Sequence, residues 1–338
     1  MAVDAVRRRP LSRQPRDAED SFGRAGRGSR PRSRLRPEHG DATSARVVTV
    51  DRGRYGCLLE DGTILVAMRA RELGRRSVVV GDEVAVVGDV TGAADTLSRI
   101  VRVEKRRSVL RRTADDDDPV ERIIVANADQ LVVVCSVADP PPQPRLVDRC
   151  LVAAIDAGVE PLLCVTKTDL APPEHLLEIY RSAGVQIVTS SAETRDAAVA
   201  TLTERLRARV TVFVGTSGVG KSTLVNALVP DATQRIGTVS LATGKGLHTT
   251  TAAIALPLPF GGWVVDTPGV RSFGLAHVDR DRLVACFPDL APGTDECPSD
   301  CDHLDPQVCC LDEWVSSGHA HPERLDSLRR LLVSRSAD

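Results

Sequence analysis

Eight consecutive residues, Gly215-Thr216-Ser217-Gly218-Val219-Gly220-Lys221-Ser222, have the spacing of a loop that wraps phosphate. The glycines let successive backbone N–H groups turn inward around phosphate oxygens, and the start of the next helix adds partial positive charge. The Lys221 ammonium reaches the β and γ phosphates, and the Ser222 hydroxyl is a Mg2+ ligand. Thr223 carries the loop into the helix. At average residue frequencies a chance match in a chain this long is on the order of one in a hundred. The chain's only lysines are Lys105, Lys167, Lys221 and Lys245. Lys167 and Lys221 stand in nucleotide motifs, where a compact ammonium on a flexible stem serves better than a planar guanidinium.

Thr166-Lys167-Thr168-Asp169 follows an apolar run at residues 162–165. There the Asp169 carboxylate can accept from the ring N–H and exocyclic amine of guanine, whereas adenine presents the wrong edge. Ser191-Ala192 follows another run, where a backbone N–H can meet the guanine carbonyl. Asp266-Thr267-Pro268-Gly269 ends a third, with Asp266 placed for the Mg2+ water shell and the Gly269 N–H for the γ-phosphate. Together these motifs describe GTP rather than ATP. Their order is rotated: the base-reading motifs precede the phosphate loop, which usually comes first. Because the ends of a compact α/β domain lie close together, joining them and cutting elsewhere preserves sheet and site. The rotation sets the Asp266 loop directly before a cysteine-rich segment, which hydrolysis is expected to move. Identical hydrogen exchange in the GDP and GTP-analogue states would rule that coupling out.

Cys297, Cys301, His303 and Cys309 offer three thiolates and an imidazole, the set of a closed, structural Zn2+ site. A catalytic zinc keeps a position open for water, so hydrolysis on this metal is disfavoured. Cys310 could stand in for Cys309, and free buried thiols are the plainer alternative. The nine cysteines are an odd number, which argues against a full disulfide framework.

The elements that must position these groups fall into three textures. Residues 45–107 read as short β runs broken by turns, with Asp61-Gly62 and Gly81-Asp82 as turn signals. The spacing suits a small barrel, of OB or SH3-like type. After the acidic stretch at 115–118, apolar strands alternate with amphipathic helices: strands near 130–137, 161–166, 185–189, 210–214, 252–256 and 263–266, and helices near 146–157, 174–183, 195–208 and from 221. This pattern predicts a mainly parallel sheet covered by helices. Short helices near 280–286 and 322–333 flank the cysteine cluster.

The net charge of −2 hides an N-terminal segment in which residues 7–36 hold eleven arginines among Pro, Gly and Ser. Such a segment is expected to be disordered, with a polyanion as partner or simply as a solvated tail. No run of eighteen apolar residues and no secretory leader pattern occurs, so a cytoplasmic protein without a membrane span is expected.

With this motif order, a barrel ahead of it and a Cys/His cluster behind it, the sequence resembles the ribosome small-subunit-dependent GTPase A family (RsgA/YjeQ). The resemblance covers the chain from about residue 44. Asn127-Ala128-Asp129-Gln130, Asp139-Pro140-Pro141-Pro142 with Arg145 and Asp148, the phosphate loop, Gly246-Leu247-His248-Thr249-Thr250-Thr251 and Asp266-Thr267-Pro268-Gly269 carry it. It implies a multidomain chain: a disordered Arg-rich tail at 1–43, an OB-fold barrel at 44–107, a circularly permuted P-loop GTPase domain at 119–275 and a zinc-binding helical domain at 276–338. The implied activity is GTP hydrolysis stimulated by the small (30S) ribosomal subunit during late assembly, with 16S rRNA as partner, Mg2+ beside the nucleotide and one structural Zn2+. A monomer is the default expectation.

Two departures stand out. Thr166 replaces the family's usual Asn, which braces base and phosphate loop, so weaker nucleotide affinity is expected. The second is the long Arg-rich extension, to which the family pattern gives no firm role. Gly269 is followed by Val270 and Arg271, without the Gln that orients the attacking water in many GTPases. The family's His at position 248 is implicated in hydrolysis, and an imidazole can orient water or accept its proton. A solvated or rRNA-binding His248 is the plainer alternative. Thr250 is favoured over Thr249 for the Mg2+ contact. The missing Gln also supports an alternative, an rRNA-binding scaffold gated by GTP with little turnover. Action on the large subunit is a third reading, against which the barrel and cysteine cluster speak.

Overall fold

The computed structural model describes residues 39–73, 78–93, 95–113, 120–230, 253–267 and 273–334. The first five strands are β1 (Thr43–Asp51), β2 (Arg54–Leu58), β3 (Ile64–Arg69), β4 (Glu83–Val87) and β5 (Ser98–Val103). They pair in the order β1-β2-β3-β5-β4, and β4 returns to β1, closing a barrel. The β3–β5 pairing is parallel and the others antiparallel. This is the OB arrangement, which settles the choice between barrel types. Val47, Cys57, Leu65, Ala67, Val84, Val86 and Ile100 fill the interior. The Asp61-Gly62 signal is a tight turn in which Asp61 Oδ1 accepts from the Thr63 N–H at 2.8 Å. Among the described residues, 78–80 contribute a single bridge, from Val80 to Val125. The chain turns at once through Gly81, whose φ is +88°, and a Cβ there would lie 2.1 Å from the Ala126 carbonyl oxygen.

A hairpin of β6 (Val109–Arg112) and β7 (Arg122–Ala126) leads out of the barrel. The Asn127-to-Gln130 stretch ties the barrel to the second sheet. Asn127 Nδ2 donates to the Gly81 carbonyl at 2.9 Å and its Oδ1 accepts from the Arg107 N–H at 2.8 Å. Asp129 accepts from Arg107 Nη1 at 2.7 Å and from the Val210 N–H at 2.8 Å. Arg106 grips the fully buried Asp82 through two bonds, of 2.7 and 2.8 Å.

The second sheet contains β8 (Gln130–Ser136), β9 (Glu160–Thr166), β10 (Gln186–Ser190), β11 (Val210–Val214), β12 (Ile254–Pro257) and β13 (Trp263–Asp266), in the order β10-β9-β8-β11-β13-β12. All neighbours are parallel except β12 and β13. Both faces are covered, so the strands read as continuous apolar runs rather than alternating ones. Leu131, Val133, Leu163 and Val165 face α1 (Pro144–Asp156) and α2 (Glu174–Arg181). Val132, Val134, Leu162 and Phe213 face α3 (Arg195–Leu206) and α4 (Lys221–Leu228). Among the described residues a single pair, Thr49 with Ile254, joins β1 to β12. β1 therefore serves two cores, with Val47 inside the barrel and Val48 in the core on the α1 side. Successive residues of a strand point to opposite faces, and the β1–β2 ladder shifts register at this point, between residues 47 and 49.

The chain leaves this sheet where it came in. The Thr113 N–H donates to the Gly274 carbonyl at 3.0 Å, the Gly274 N–H returns to the Thr113 carbonyl at 3.2 Å, and the Ala276 N–H reaches Thr113 Oγ1 at 3.3 Å. Beyond lie α5 (Arg280–Ala285), α6 (Leu311–Ser316) and α7 (Pro322–Val333). Asp279 caps α5 by accepting from the Arg282 N–H at 2.9 Å. Leu283, Phe287, Leu311, Leu325 and Leu328 are buried in the same cluster as Cys150 and Leu151 of α1, so the C-terminal helices share a core with the sheet domain.

A charged network lies inside this contact. Arg324, 1% exposed, donates through Nη1 to Asp148 of α1 at 2.5 Å and through Nε and Nη2 to Asp289 at 3.0 and 3.2 Å. Its guanidinium also sits 4.4 Å from the Phe287 ring centre. Burial raises the Asp148 pKa by more than Arg324 lowers it. Burial pulls the Arg324 pKa down, but Asp148 and Asp289 together outweigh it, so the arginine stays charged.

Candidate nucleotide and metal sites

The motifs read from the sequence converge at the carboxyl ends of the parallel strands, where open α/β sheets bind ligands. β11 ends at Val214, β9 at Thr166, β10 at Ser190 and β13 at Asp266. In the phosphate loop, Gly215 passes so close to β8 that a Cβ there would lie 2.6 Å from the Val134 carbonyl oxygen. Gly220, at φ +90°, is the left-handed N-cap of α4. Thr216, Ser217 and Gly218 run toward solvent, Val219 is buried, and Ser222 and Thr223 stand exposed in the first turn of α4. Lys221 is 8% exposed and forms an ion pair with Asp266 across the site. Thr267 anchors that strand end by donating from Oγ1 to the Phe213 carbonyl at 2.7 Å.

On the base side the Asp169 carboxylate accepts from the Ala192 N–H at 3.2 Å, so the two groups expected to read guanine already meet. The Thr168 N–H donates to the Ser190 carbonyl at 3.2 Å, locking the two strand ends together. Ser191 and Thr194 exchange bonds at the start of α3: the Ser191 N–H reaches Thr194 Oγ1 and the Thr194 N–H reaches Ser191 Oγ, both at 2.9 Å. This reciprocal cap fixes the turn that presents the Ala192 N–H.

Thr166, where the family usually has Asn, keeps one half of the brace. Its buried hydroxyl donates to the Val219 carbonyl at 2.7 Å, linking the base motif to the phosphate loop. Thr166→Val removes the donor and leaves that carbonyl unpaired. Titration with a fluorescent GDP is expected to show about tenfold weaker binding, the equivalent of one buried hydrogen bond, with Thr166→Ser close to the parent. Equal affinity for the valine variant would show that the brace does not matter.

Sequence reasoning assigned the residues after β8 no work beyond the resemblance. In the structure Ser136 Oγ donates to the Pro140 carbonyl at 2.7 Å, and Lys167 Nζ donates to the Asp139 carbonyl. Pro140 Cδ lies 3.5 Å from the position of a Cβ on Gly218. The loop thus fills the space between base motif and phosphate loop, and its proline run was the only signal for that. His248, Thr250 and Gly269 lie outside the described residues, as does the arginine-rich segment up to residue 38.

The candidate metal ligands Cys297, Cys301, His303 and Cys309 also come together, with one donor atom from each lying within 4.8 Å of the others. Cys309 Sγ and His303 Nδ1 are 3.7 Å apart. A tetrahedral zinc with bonds of about 2.3 Å to sulfur and about 2.0 Å to nitrogen needs ligand separations of about 3.5–3.8 Å, so this donor set fits. Two backbone N–H groups turn toward sulfur: His303 N–H to Cys301 Sγ and Cys310 N–H to Cys297 Sγ, each at 3.4 Å. The Cys310 thiol turns away and donates to the Glu296 carbonyl at 3.2 Å. Burial pushes the Cys309 thiol up to about 11 and pulls the His303 imidazole down. The histidine is therefore held in the neutral form that ligates metal.

A phosphate loop after one parallel strand and an Asp-Thr-Pro-Gly motif after another, on a sheet threaded from its middle, define a circularly permuted P-loop GTPase. The family description RsgA GTPase matches residues 103–276. A relative from Chlorobaculum parvum, described as small ribosomal subunit biogenesis GTPase RsgA, is 40% identical over 269 residues, covering 77% of this chain and 86% of its own. The crystal structure of YjeQ from Thermotoga maritima superposes with a TM-score of 0.67 at 28% identity, over 88% of this chain and 99% of that one. YloQ, described as a circularly permuted GTPase, shares the fold with a TM-score of 0.64 at 22% identity, over 89% and 98% of the two chains. The chain belongs to the RsgA GTPase family.

Proposed function

We propose that this GTPase binds the small (30S) ribosomal subunit through 16S rRNA and hydrolyses GTP to GDP and phosphate late in subunit assembly, with turnover stimulated by the subunit. The observation that carries the reading is that the Asp169–Ala192 contact and the Lys221–Asp266 ion pair both lie at the carboxyl ends of one parallel sheet, in a chain 40% identical to a relative described as a small-subunit biogenesis GTPase. Guanine is held by Thr166, Lys167, Thr168 and Asp169, with the Ala192 N–H beside Ser191 on its carbonyl. The phosphates are held by residues 215–223 and by the Gly269 N–H. Ser222, Thr250 and Asp266 are the hard oxygen ligands that Mg2+ prefers, and the ion neutralises charge developing on the phosphates. His248 orients the attacking water. That assignment rests on the sequence, and His248→Ala should keep nucleotide binding while losing stimulated turnover.

Cys297, Cys301, His303 and Cys309 hold one structural Zn2+. The division into an Arg-rich tail (1–43), barrel (44–107), GTPase domain (119–275) and zinc-binding domain (276–338) belongs to this reading, as does action as a monomer in the cytoplasm. Among the described residues no helix is long and apolar enough to cross a membrane. With aromatic residues at 3% of the chain, phosphate and shape recognition is favoured over base stacking.

The deciding experiment measures multiple-turnover phosphate release with and without purified small and large subunits, with ATP as control. Stimulation by the small subunit alone is the expected result. The sequence Gly269-Val270-Arg271, without a water-orienting Gln, favours a second reading, a GTP-gated rRNA scaffold, and unstimulated turnover with intact subunit binding would select it.

A further inference from the structure

His303 is an unusual residue to find where it is. Its φ is +61°, in the left-handed region that residues other than glycine rarely hold, and from that turn its ring reaches Cys301 and Cys309. Such a conformation persists where its surroundings hold it. Two arginines do so from outside the ligand set. Arg280 Nη2, from α5, donates to the Asp302 carbonyl at 3.1 Å, and Arg329 Nε, from α7, donates to the carbonyl of His303 itself at 3.1 Å. Arg329 is in turn fixed by Asp312 of α6, through Nη1 to Oδ1 at 3.0 Å and Nη2 to Oδ2 at 2.5 Å. One guanidinium therefore joins both helices to the ligating turn. The charge is also apt: three thiolates and a neutral imidazole around a divalent cation leave one net negative charge, and the Arg329 charge acts on Cys309.

We propose that Arg329 is a positioning residue of the metal site, holding His303 in its ligating turn and balancing the charge of the thiolate set. Groups that orient metal ligands from behind commonly change metal affinity by ~10–100-fold when removed. The inference rests on the zinc reading above.

The test uses the full-length protein, with zinc affinity read by competition against a chromogenic chelator. Arg329→Ala should bind zinc ~10–100-fold more weakly, and with Co2+ in place of zinc its thiolate-to-metal charge-transfer band should shift. Arg329→Lys, which keeps the charge but cannot bridge His303 and Asp312 together, should fall between. Arg330→Ala, which removes the neighbouring exposed charge on the same helix, should match the parent. Parent-like affinity in Arg329→Ala, or an equal loss in Arg330→Ala, overturns the proposal. If Arg329→Ala does not fold, Arg329→Lys decides against Arg330→Ala: weaker binding supports the proposal and equal binding overturns it. A parent protein that takes up no zinc defeats the zinc reading and this inference with it, whereas a zinc-bound parent with an unaffected Arg329→Ala defeats this inference alone.

Discussion

Lys221→Ala should lower kcat/KM for GTP by roughly two to three orders of magnitude, the loss expected when one preorganised electrostatic group is removed from a site of this kind. The Lys221 ammonium is nearly enclosed, at 8% exposure, and is held against Asp266. Its charge is thus held at the site, on Asp266, before any nucleotide arrives, and the screening that weakens surface charges is small there. Lys221→Arg should not restore activity, because a planar guanidinium has neither the room nor the single-point reach of an ammonium. Steady-state phosphate release at saturating small subunit gives the comparison. A Lys221→Ala enzyme within threefold of the parent would remove the phosphate role.

Arg324→Ala is expected to cost about 3–5 kcal/mol, because it leaves two buried carboxylates without a counter-charge, with only the Ser327 and Ser182 hydroxyls beside Asp148 and Asp289. Asp148 is 1% exposed and Asp289 5%, and neither can turn to water for a new partner. At the usual conversion for a body of this size, the melting temperature falls by roughly 6–20 °C. The network itself need not be a large source of stability: burial already raises the Asp148 pKa despite its partner. Replacing Arg324, Asp148 and Asp289 together with apolar residues of similar volume should therefore recover most of the loss. Thermal unfolding of the single and triple variants separates the two statements. A single variant that melts with the parent would mean the carboxylates find other partners.

Local chemistry with fixed spacing was the part of this protein legible in its sequence. The phosphate loop, Asp169, Asp266 and the cysteine cluster each occupy a short stretch whose residue types admit few other uses. The buried strands of the α/β sheet were legible for a related reason, since parallel strands covered on both faces are continuous apolar runs. The choice between barrel types was not, because it depends on β3 meeting β5 in parallel and β4 returning to β1, pairings between distant residues that no local pattern encodes. The same holds for single residues. Thr166 reads as a weakened substitute in the sequence, yet its hydroxyl meets Val219, 53 positions away. Arg324 could not be singled out among so many arginines, because its partner Asp148 lies 176 positions earlier. Arg329 gives no signal in the sequence because the groups it touches, the His303 backbone and the Cys309 side chain, belong to a turn well before it in the chain.

The paired backbone bonds between Thr113 and Gly274 mark the doorway of the GTPase domain. Residues that exchange both backbone bonds lie about 5.5 Å apart, so the chain enters and leaves this domain through neighbouring points on one side of it. A turn of two or three residues could also close the doorway, so that motif order reflects only which loop of a continuous ring was left open.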